Sequence, residues 1–425
     1  MPPDARPAIV VLCSLFPSAV QPHAGVFVRE RMFRVGKALP LAVVAPVAWF
    51  PLQWLARRLR PGFRPGAPRV ETQQGHDVWY PRFLSFPGAF KRFDGFMMAL
   101  GAWRRMRALR RAGRLDVIDA HFAYPDGYAA ALLGRWLRVP VTITLRGTES
   151  RHAKIPALRR RVAVALDRAA RVFAVSESLR QVALEIGVEP ARVRVVGNGV
   201  DVARFSPLER QEARARLGIS PTAPVLISVG GLVERKGFHR VIDCLPALRR
   251  RHPDLVYLIV GGPSPEGDWS ERLKAQCARL DVGVAVRFLG AMPSAELRVP
   301  LSAADAFVLA TSNEGWANVF LEAMACGLPV VATDVGGNAE VVSTSQVGTI
   351  VPFGDPQALI DALADAIGRD WDRAAIRRYA SANAWESRIA VLLDEFRGLA
   401  RASSAAPSGA TAAPTGVSGL RPPVR

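Results

Sequence analysis

The sequence predicts an α/β protein made of two doubly wound, mainly parallel sheets in tandem. Three observations predict this. Short apolar runs alternate with segments of helical period, the pattern of a parallel sheet covered by helices on both faces. A second series of the same kind starts after residue 220. The 425 residues, 50% hydrophobic and 22% charged, also supply enough apolar material for more than one core.

The first buried strand is the run Ile9 to Phe16. Arg6 precedes it as in a signal peptide, but Asp4 interrupts the basic region and no A-x-A cleavage site follows. Ala38 to Ala56 is long and apolar, yet Pro40, Pro46 and Pro51 break it, so a strand at Leu41 to Ala45 and an apolar loop are expected, with no membrane span. Val117 to Ala120, Val141 to Leu145, Val172 to Val175 and Val193 to Val196 continue the first sheet, with a helix at Ile155 to Ala169 between two of them. The second sheet takes Val225 to Val229, Val256 to Val260, Ala285 to Phe288, Ala306 to Leu309 and Val330 to Ala332.

The turn residues Asn198, Gly199 and Asp201 mark the junction, before a charged helix at Leu208 to Leu217. This divides the chain into domains at 1–200 and 201–385. A helix at 386–401 follows, whose stripe Ile389, Leu392, Leu393 and Phe396 needs a surface to pack on across the junction. Residues 402–425 lack periodic apolar positions, and a disordered tail is expected there.

Charge is unevenly placed. Lys plus Arg total 56 against 37 Asp plus Glu, a net +19, and residues 1–200 hold 32 basic and 13 acidic side chains. The whole excess therefore lies in the first half, which raises phosphate, nucleic-acid and membrane partners. No zinc-finger, RRM or helix-turn-helix pattern accompanies it, so no nucleic acid is expected. Cys13, Cys244, Cys277 and Cys326 have no paired spacing, which suits a reducing, cytoplasmic setting.

The richest stretch runs from Leu309 to Val342, where a strand ends in an acidic loop, enters a helix and returns to a strand. Glu314 falls in the loop and Glu322 about one turn into the helix. Free backbone N–H groups of Gly315, Trp316, Ala317, Asn318 and Val319 and the positive helix end favour a phosphate, while the carboxylates can accept from sugar hydroxyls. A nucleotide sugar carries both groups. Two glutamates near a helix start would otherwise simply complement its dipole. Arg235 and Lys236 follow the strand Val225 to Val229 and its Gly230–Gly231 turn, at the carboxyl edge where open parallel sheets place ligands, and suit a diphosphate.

With these residues in view, the chain resembles the family 4 glycosyltransferases, retaining enzymes of GT-B architecture in which two Rossmann-like, doubly wound domains face a central cleft. Glu314 and Glu322 match the E-x7-E pattern of that family. The likeness extends over nearly all of the chain, through GVFVRE from Gly25, DAHFAYPDGYAAAL around His121, TLRGTE from Thr144, NGVD from Asn198 and VGGLVERKGF from Val229. It implies a nucleoside-diphosphate-sugar donor, UDP- or GDP-linked, held by the second domain, and a glycan or lipid-linked acceptor held largely by the first. By residue it implies sugar-hydroxyl contact for Glu314, ribose contact for Glu322, diphosphate contact for Lys236, and a place beside the transferred sugar for His121.

Gly25 is expected to open a helix whose N–H groups approach the donor, and Arg146, Gly147 and Thr148 to share the acceptor side of the cleft with His121. Many relatives carry an arginine where this chain has Gly231, so Arg235 is expected to substitute for it. The sequence offers no clear carboxylate nucleophile, and the family favours a same-face reaction in which departing phosphate helps deprotonate the acceptor. Asp370-Trp371-Asp372 has the D-x-D form of metal-dependent transferases but lies in a charged helical segment, so neither an essential metal nor a cofactor is expected.

Trp49, Phe50, Trp54 and Leu55 lead into Arg57, Arg58 and Arg60, and Phe90 to Arg111 mixes Phe93, Phe96, Met97, Met98 and Trp103 with arginines. Such composition fits helices lying in an anionic membrane surface, so the cytoplasmic protein is expected to touch the inner face of the membrane. The alternative to an enzyme is a non-catalytic scaffold of the same architecture in a polysaccharide-assembly complex. Retention of both glutamates and Lys236 favours the enzyme, and a sugar-nucleotide epimerase fits the E-x7-E pattern less well.

Overall fold

A computed structural model describes residues 6–59, 63–264 and 266–405. Its strands are β1 (Ile9–Leu12), β2 (Leu41–Val44), β3 (Val47–Trp49), β4 (Val70–Gln73), β5 (His76–Trp79), β6 (Arg82–Leu84), β7 (Val117–His121), β8 (Val141–Leu145), β9 (Arg171–Ala174) and β10 (Val193–Val195), then β11 (Val225–Val229), β12 (Val256–Val260), β13 (Val286–Gly290), β14 (Ala306–Leu309), β15 (Val330–Thr333) and β16 (Gly348–Val351). The runs of Val, Ile and Leu in β1, β2, β7, β8, β11, β12, β14 and β15 are buried along their whole length, as strands covered on both faces must be.

The first sheet has the order β10-β9-β8-β7-β1-β2-β5-β4, parallel except for the hairpin β4–β5, and β3 pairs with β6 separately. The second has the order β13-β12-β11-β14-β15-β16 and is wholly parallel. In each sheet the chain runs outward first to one side and then to the other, which creates a switch point: between β1 and β7 in the first, and between β11 and β14 in the second. Loops leaving the carboxyl ends of those strands splay apart and leave a crevice.

The helix after β16 and those that follow carry the chain back. Helix Trp385–Ala405 sets Trp385, Ile389, Leu392, Phe396 and Ala400 into the same apolar cluster as Ile9, Val11 and Phe173. Phe396 meets Phe173 edge-on at 6.1 Å, and Glu395 receives Arg171 at 2.8 Å and Arg194 at 2.6 Å. The helix runs past the expected start of a tail at 402; the rest of that tail, 406–425, lies outside the described residues.

The segment Phe90 to Arg111 departs from expectation. Helix Asp94–Arg111 turns Met98, Ala99, Ala102, Met106 and Leu109 into the first core, because its apolar positions recur at helical spacing against the helix Tyr128–Leu137. It is a core helix, and Phe96 and Leu100 in its first two turns, with Phe93 just before it, are the large apolar side chains left exposed.

Removing the Phe396 ring takes away the centre of the returning helix's apolar stripe. Phe396→Ala should lower stability by about 3 kcal/mol, seen as a lower urea midpoint.

Candidate active site

Both switch points open toward one cleft. The loop after β11 makes a turn at Glu234–Lys236, and the loop after β14 carries Glu314; since β11 and β14 are neighbours, the two loops lie side by side. Lys236 Nζ contacts Glu314 Oε1, and Arg235 Nη1 donates to the same oxygen at 3.1 Å and to the Asn313 carbonyl at 2.9 Å. The other two nitrogens of Arg235 bind Glu266 at 2.9 and 2.8 Å, and these carboxylates raise the guanidinium's pKa.

A cavity of about 380 Å³ is lined by Arg235, Lys236, Glu314 and residues Gly315 to Val319 on one side. Arg146, Gly147, Thr148 and Asn198 line the other. The walls touch at two glycines: a Cβ on Gly315 would lie 2.3 Å from the Arg146 carbonyl oxygen, so the close approach requires glycine there. Trp316 reaches across and lays its ring against Gly197.

Arg146 is tied into a chain of hydrogen bonds that crosses from one domain to the other. Its Nε and Nη2 meet His121 Nδ1 at 3.2 and 2.9 Å, and its Nη1 donates to Asn198 Oδ1 at 2.8 Å. Asn198 Nδ2 in turn donates to Asn318 Oδ1 at 2.8 Å, at the start of helix Asn318–Ala325. On the far side, His121 Nε2 lies 3.2 Å from Asp119 Oδ2, and Thr142 donates to Asp119 at 2.6 Å. Arginine can only donate, so His121 Nδ1 accepts and Nε2 carries the proton. Burial, with the Arg146 charge, pushes the His121 pKa down to about 4.

His121 is thus fully enclosed and stands one layer behind the cleft, where it holds Arg146. The expectation that it faces the cleft is corrected. The wall residue is Arg146, because Asp119 and His121 share the inward face of β7 at a spacing of two.

The remaining expected residues fall elsewhere. Gly230 and Gly231 line a neighbouring cavity of about 490 Å³ with Gly261 and Gly262, closed on the first-domain side by residues 20–24. Gly25 does begin the helix Val26–Gly36, at φ 66°, where a Cβ would sit 1.9 Å from the Leu15 carbonyl oxygen, but it lines neither cavity. Glu322 lies in the second turn of helix Asn318–Ala325, half-buried and outside both linings, nearest in charge to Arg204 and Glu30; burial pushes its carboxyl up to about 7. Asp372 caps the helix Arg373–Ala382 through the Ala375 N–H at 2.8 Å, which explains its D-x-D position structurally.

Two participants, Glu149 and Arg31, had not been singled out from sequence, and Asn198 and Asn318 take part through side chains where the sequence pointed to a turn and a backbone N–H. Glu149 is buried and accepts from the N–H groups of Ala123, Arg146 and Gly147 at 2.9, 3.0 and 2.9 Å, fixing the β8 loop. Asn198 and Asn318 carry the crossing chain, and Arg31, also buried, donates to the Val196 carbonyl at 2.9 Å. Glu149 lay within the TLRGTE stretch and Asn198 within NGVD, so both had a sequence signal.

Two family patterns match the chain, glycosyltransferase family 4 over residues 42–204 and glycosyl transferases group 1 over residues 209–383. A D-inositol 3-phosphate glycosyltransferase of Corynebacterium urealyticum is 34% identical over 305 residues, 67% of this chain and 72% of that protein. The chain belongs to glycosyltransferase family 4. The transferase is also 28% identical over 394 residues to a putative teichuronic acid biosynthesis glycosyltransferase of Bacillus subtilis, covering 90% of this chain and 91% of that one. Among solved structures, Anabaena HepE in complex with UDP and glucose superposes with a TM-score of 0.70 at 19% identity, over 93% of this chain and all of that one, consistent with the GT-B fold.

The unfolded transferase protonates His121 as pH falls below about 6.5, whereas the folded one resists until about 4, so this group costs the fold stability as pH falls through that window. Between about pH 7 and pH 5 the wild type should lose about 2 kcal/mol that His121→Gln does not lose, read from urea melts of both proteins.

Proposed function

We propose that the transferase moves a hexosyl group from a UDP- or GDP-sugar to a hydroxyl of a glycan or lipid-linked acceptor in cell-surface polysaccharide or glycolipid synthesis, with retention and without a metal. The observation that carries this reading is the placing of Lys236, Arg235 and Glu314 on one wall of a cavity that has Arg146 on the other. A diphosphate entering there competes with Glu314 for Lys236 and Arg235, and frees the carboxylate to accept from sugar hydroxyls. HepE, of the same fold, binds UDP and glucose.

In this reading the bond from anomeric carbon to phosphate oxygen breaks while the acceptor oxygen bonds to that carbon on the same face. The acceptor's proton passes to the departing phosphate, whose charge Lys236 and Arg235 take up. Arg235 supplies the cation that Gly231 lacks. Glu314, engaged with the sugar hydroxyls once the diphosphate has taken its cations, is not aimed at the anomeric carbon in this reading, which favours the same-face course over a covalent intermediate. His121 acts as a positioning residue through Arg146. Glu322 and Gly25 serve the donor side indirectly, through the helices they belong to.

The nucleoside-diphosphate sugar that fits, at about a hundred times its Kd, should stabilise the protein by about 2.7 kcal/mol in a thermal-shift screen of UDP- and GDP-sugars. Lys236→Ala should keep the melting temperature yet lower kcat/KM on the order of a hundred-fold, and the product should keep the donor's anomeric configuration by NMR. An inverted product would overturn the same-face course.

The first domain also favours contact with an anionic bilayer. No helix among the described residues is long and apolar enough to cross a membrane. Leu52, Trp54 and Leu55 and the set Phe86, Phe90, Phe93 and Phe96 are nevertheless exposed, beside Arg57, Arg58, Lys91 and Arg92. Arg60 lies outside the described residues. Apolar side chains can enter the headgroup boundary there, while each cation adds about 1 kcal/mol. Flotation should carry the protein up with anionic vesicles and leave it behind with neutral ones, and Trp54→Ser with Phe90→Ser should abolish the difference.

A further inference from the structure

A second concavity, of about 520 Å³, lies on the first domain outside the cleft cavities already described, between β5, the start of β6 and the middle of helix Asp94–Arg111. Its charged side chains are Arg69, Arg82, Arg104 and Arg105, and no carboxylate lines it. Among the described residues none of these four guanidiniums forms a salt bridge or a side-chain hydrogen bond. This contrasts with the cleft, where Arg235 and Lys236 are paired. Four unpaired cations around one hollow repel each other, and an oxyanion relieves that repulsion.

The hollow is also braced. Arg105 stacks on the Trp79 ring at 4.8 Å, and Arg114 lies over the same ring at 5.7 Å while pairing with Asp77 at 3.0 Å. Stacking holds the planar fork of Arg105 in place for bidentate contact with a carboxylate or phosphate. Ala67 and Tyr80 line this hollow and also a larger one of about 700 Å³. That larger hollow reaches Ser14 after β1 and Pro263 and Ser264 of the second domain. The arginine hollow therefore borders, at Ala67 and Tyr80, the hollow that extends to the second domain.

We propose that the arginine hollow is an oxyanion subsite for the acceptor, taking a carboxylate or phosphate borne by a sugar unit remote from the hydroxyl that reacts. The inference rests on the transferase reading and deepens it, since it names the acceptor as an anionic saccharide. Charge and position favour a chain-like glycan over a lipid headgroup, because the hollow adjoins the one that reaches from Ser14 to Pro263 and Ser264.

The test is calorimetric titration of the full chain with trigalacturonate, maltotriose and anionic vesicles, with UDP and GDP titrated in parallel. Trigalacturonate should bind with an affinity that falls with salt, and maltotriose should not bind. Arg82→Ala with Arg105→Ala should weaken trigalacturonate at least ten-fold and leave UDP or GDP binding and the melting temperature unchanged, which also shows that the variant is folded. Equal binding of trigalacturonate by wild type and variant, binding of maltotriose to the same extent, or binding of vesicles without trigalacturonate would each overturn the proposal. A protein that takes up UDP or GDP but not trigalacturonate refutes this subsite and leaves the donor reading standing; one that binds trigalacturonate through these arginines but no nucleoside diphosphate refutes the donor reading instead.

Discussion

The guanidinium of Arg146 is the interaction on which the cleft depends. Its hydrogen bonds go to neutral partners, His121 and Asn198, and burial lowers its pKa to about 10. A partly desolvated cation so held must be positioned by others, and they come from every layer: Asp119 orients His121, Glu149 fixes the backbone of the β8 loop, and Asn198 passes the constraint on to Asn318. The second domain's acidic loop is thereby set against the first domain's basic one. At Gly147 and Gly315 the backbones meet with no side chain between them.

The two walls contribute different chemistry. The second domain offers cations already neutralised by Glu314 and Glu266; in the proposed reading a phosphate exchanges for these carboxylates, at less desolvation cost than bare charges would carry. The first domain offers Arg146 backed by neutral groups, together with the chain's whole excess of positive charge. The two walls of the cleft thus differ in electrostatic character and are joined by the hydrogen-bond chain through the junction.

Much of this was legible in the sequence for physical reasons. A strand buried on both faces is a bare apolar run, so β1, β7, β8, β11, β12, β14 and β15 stood out. The hairpin β4–β5 did not, because Val70–Gln73 and His76–Trp79 are half-exposed and polar, and β16, at the sheet's edge, has only four residues beginning with glycine. Glu314, Arg235 and Lys236 could be placed together because they follow neighbouring strands. The position of His121 was read from the family resemblance, which placed it beside the transferred sugar, whereas a histidine ending a buried strand, with Asp119 two places earlier, is by itself more often a hydrogen-bonded structural residue. Asn198 was visible as a turn residue only, since its partners lie 52 and 120 positions away along the chain.

The return of helix Trp385–Ala405 to the first domain has a consequence for biosynthesis. The helix completes a core begun by residues made first, such as Ile9 and Phe173. On the ribosome, the amino-terminal sheet must wait with this face covered only in part, by Val28, Met32, Phe33 and Val35 of helix Val26–Gly36, while the second domain is translated. Maturation is therefore not strictly vectorial: the last described segment to emerge seals the unit whose synthesis started the chain.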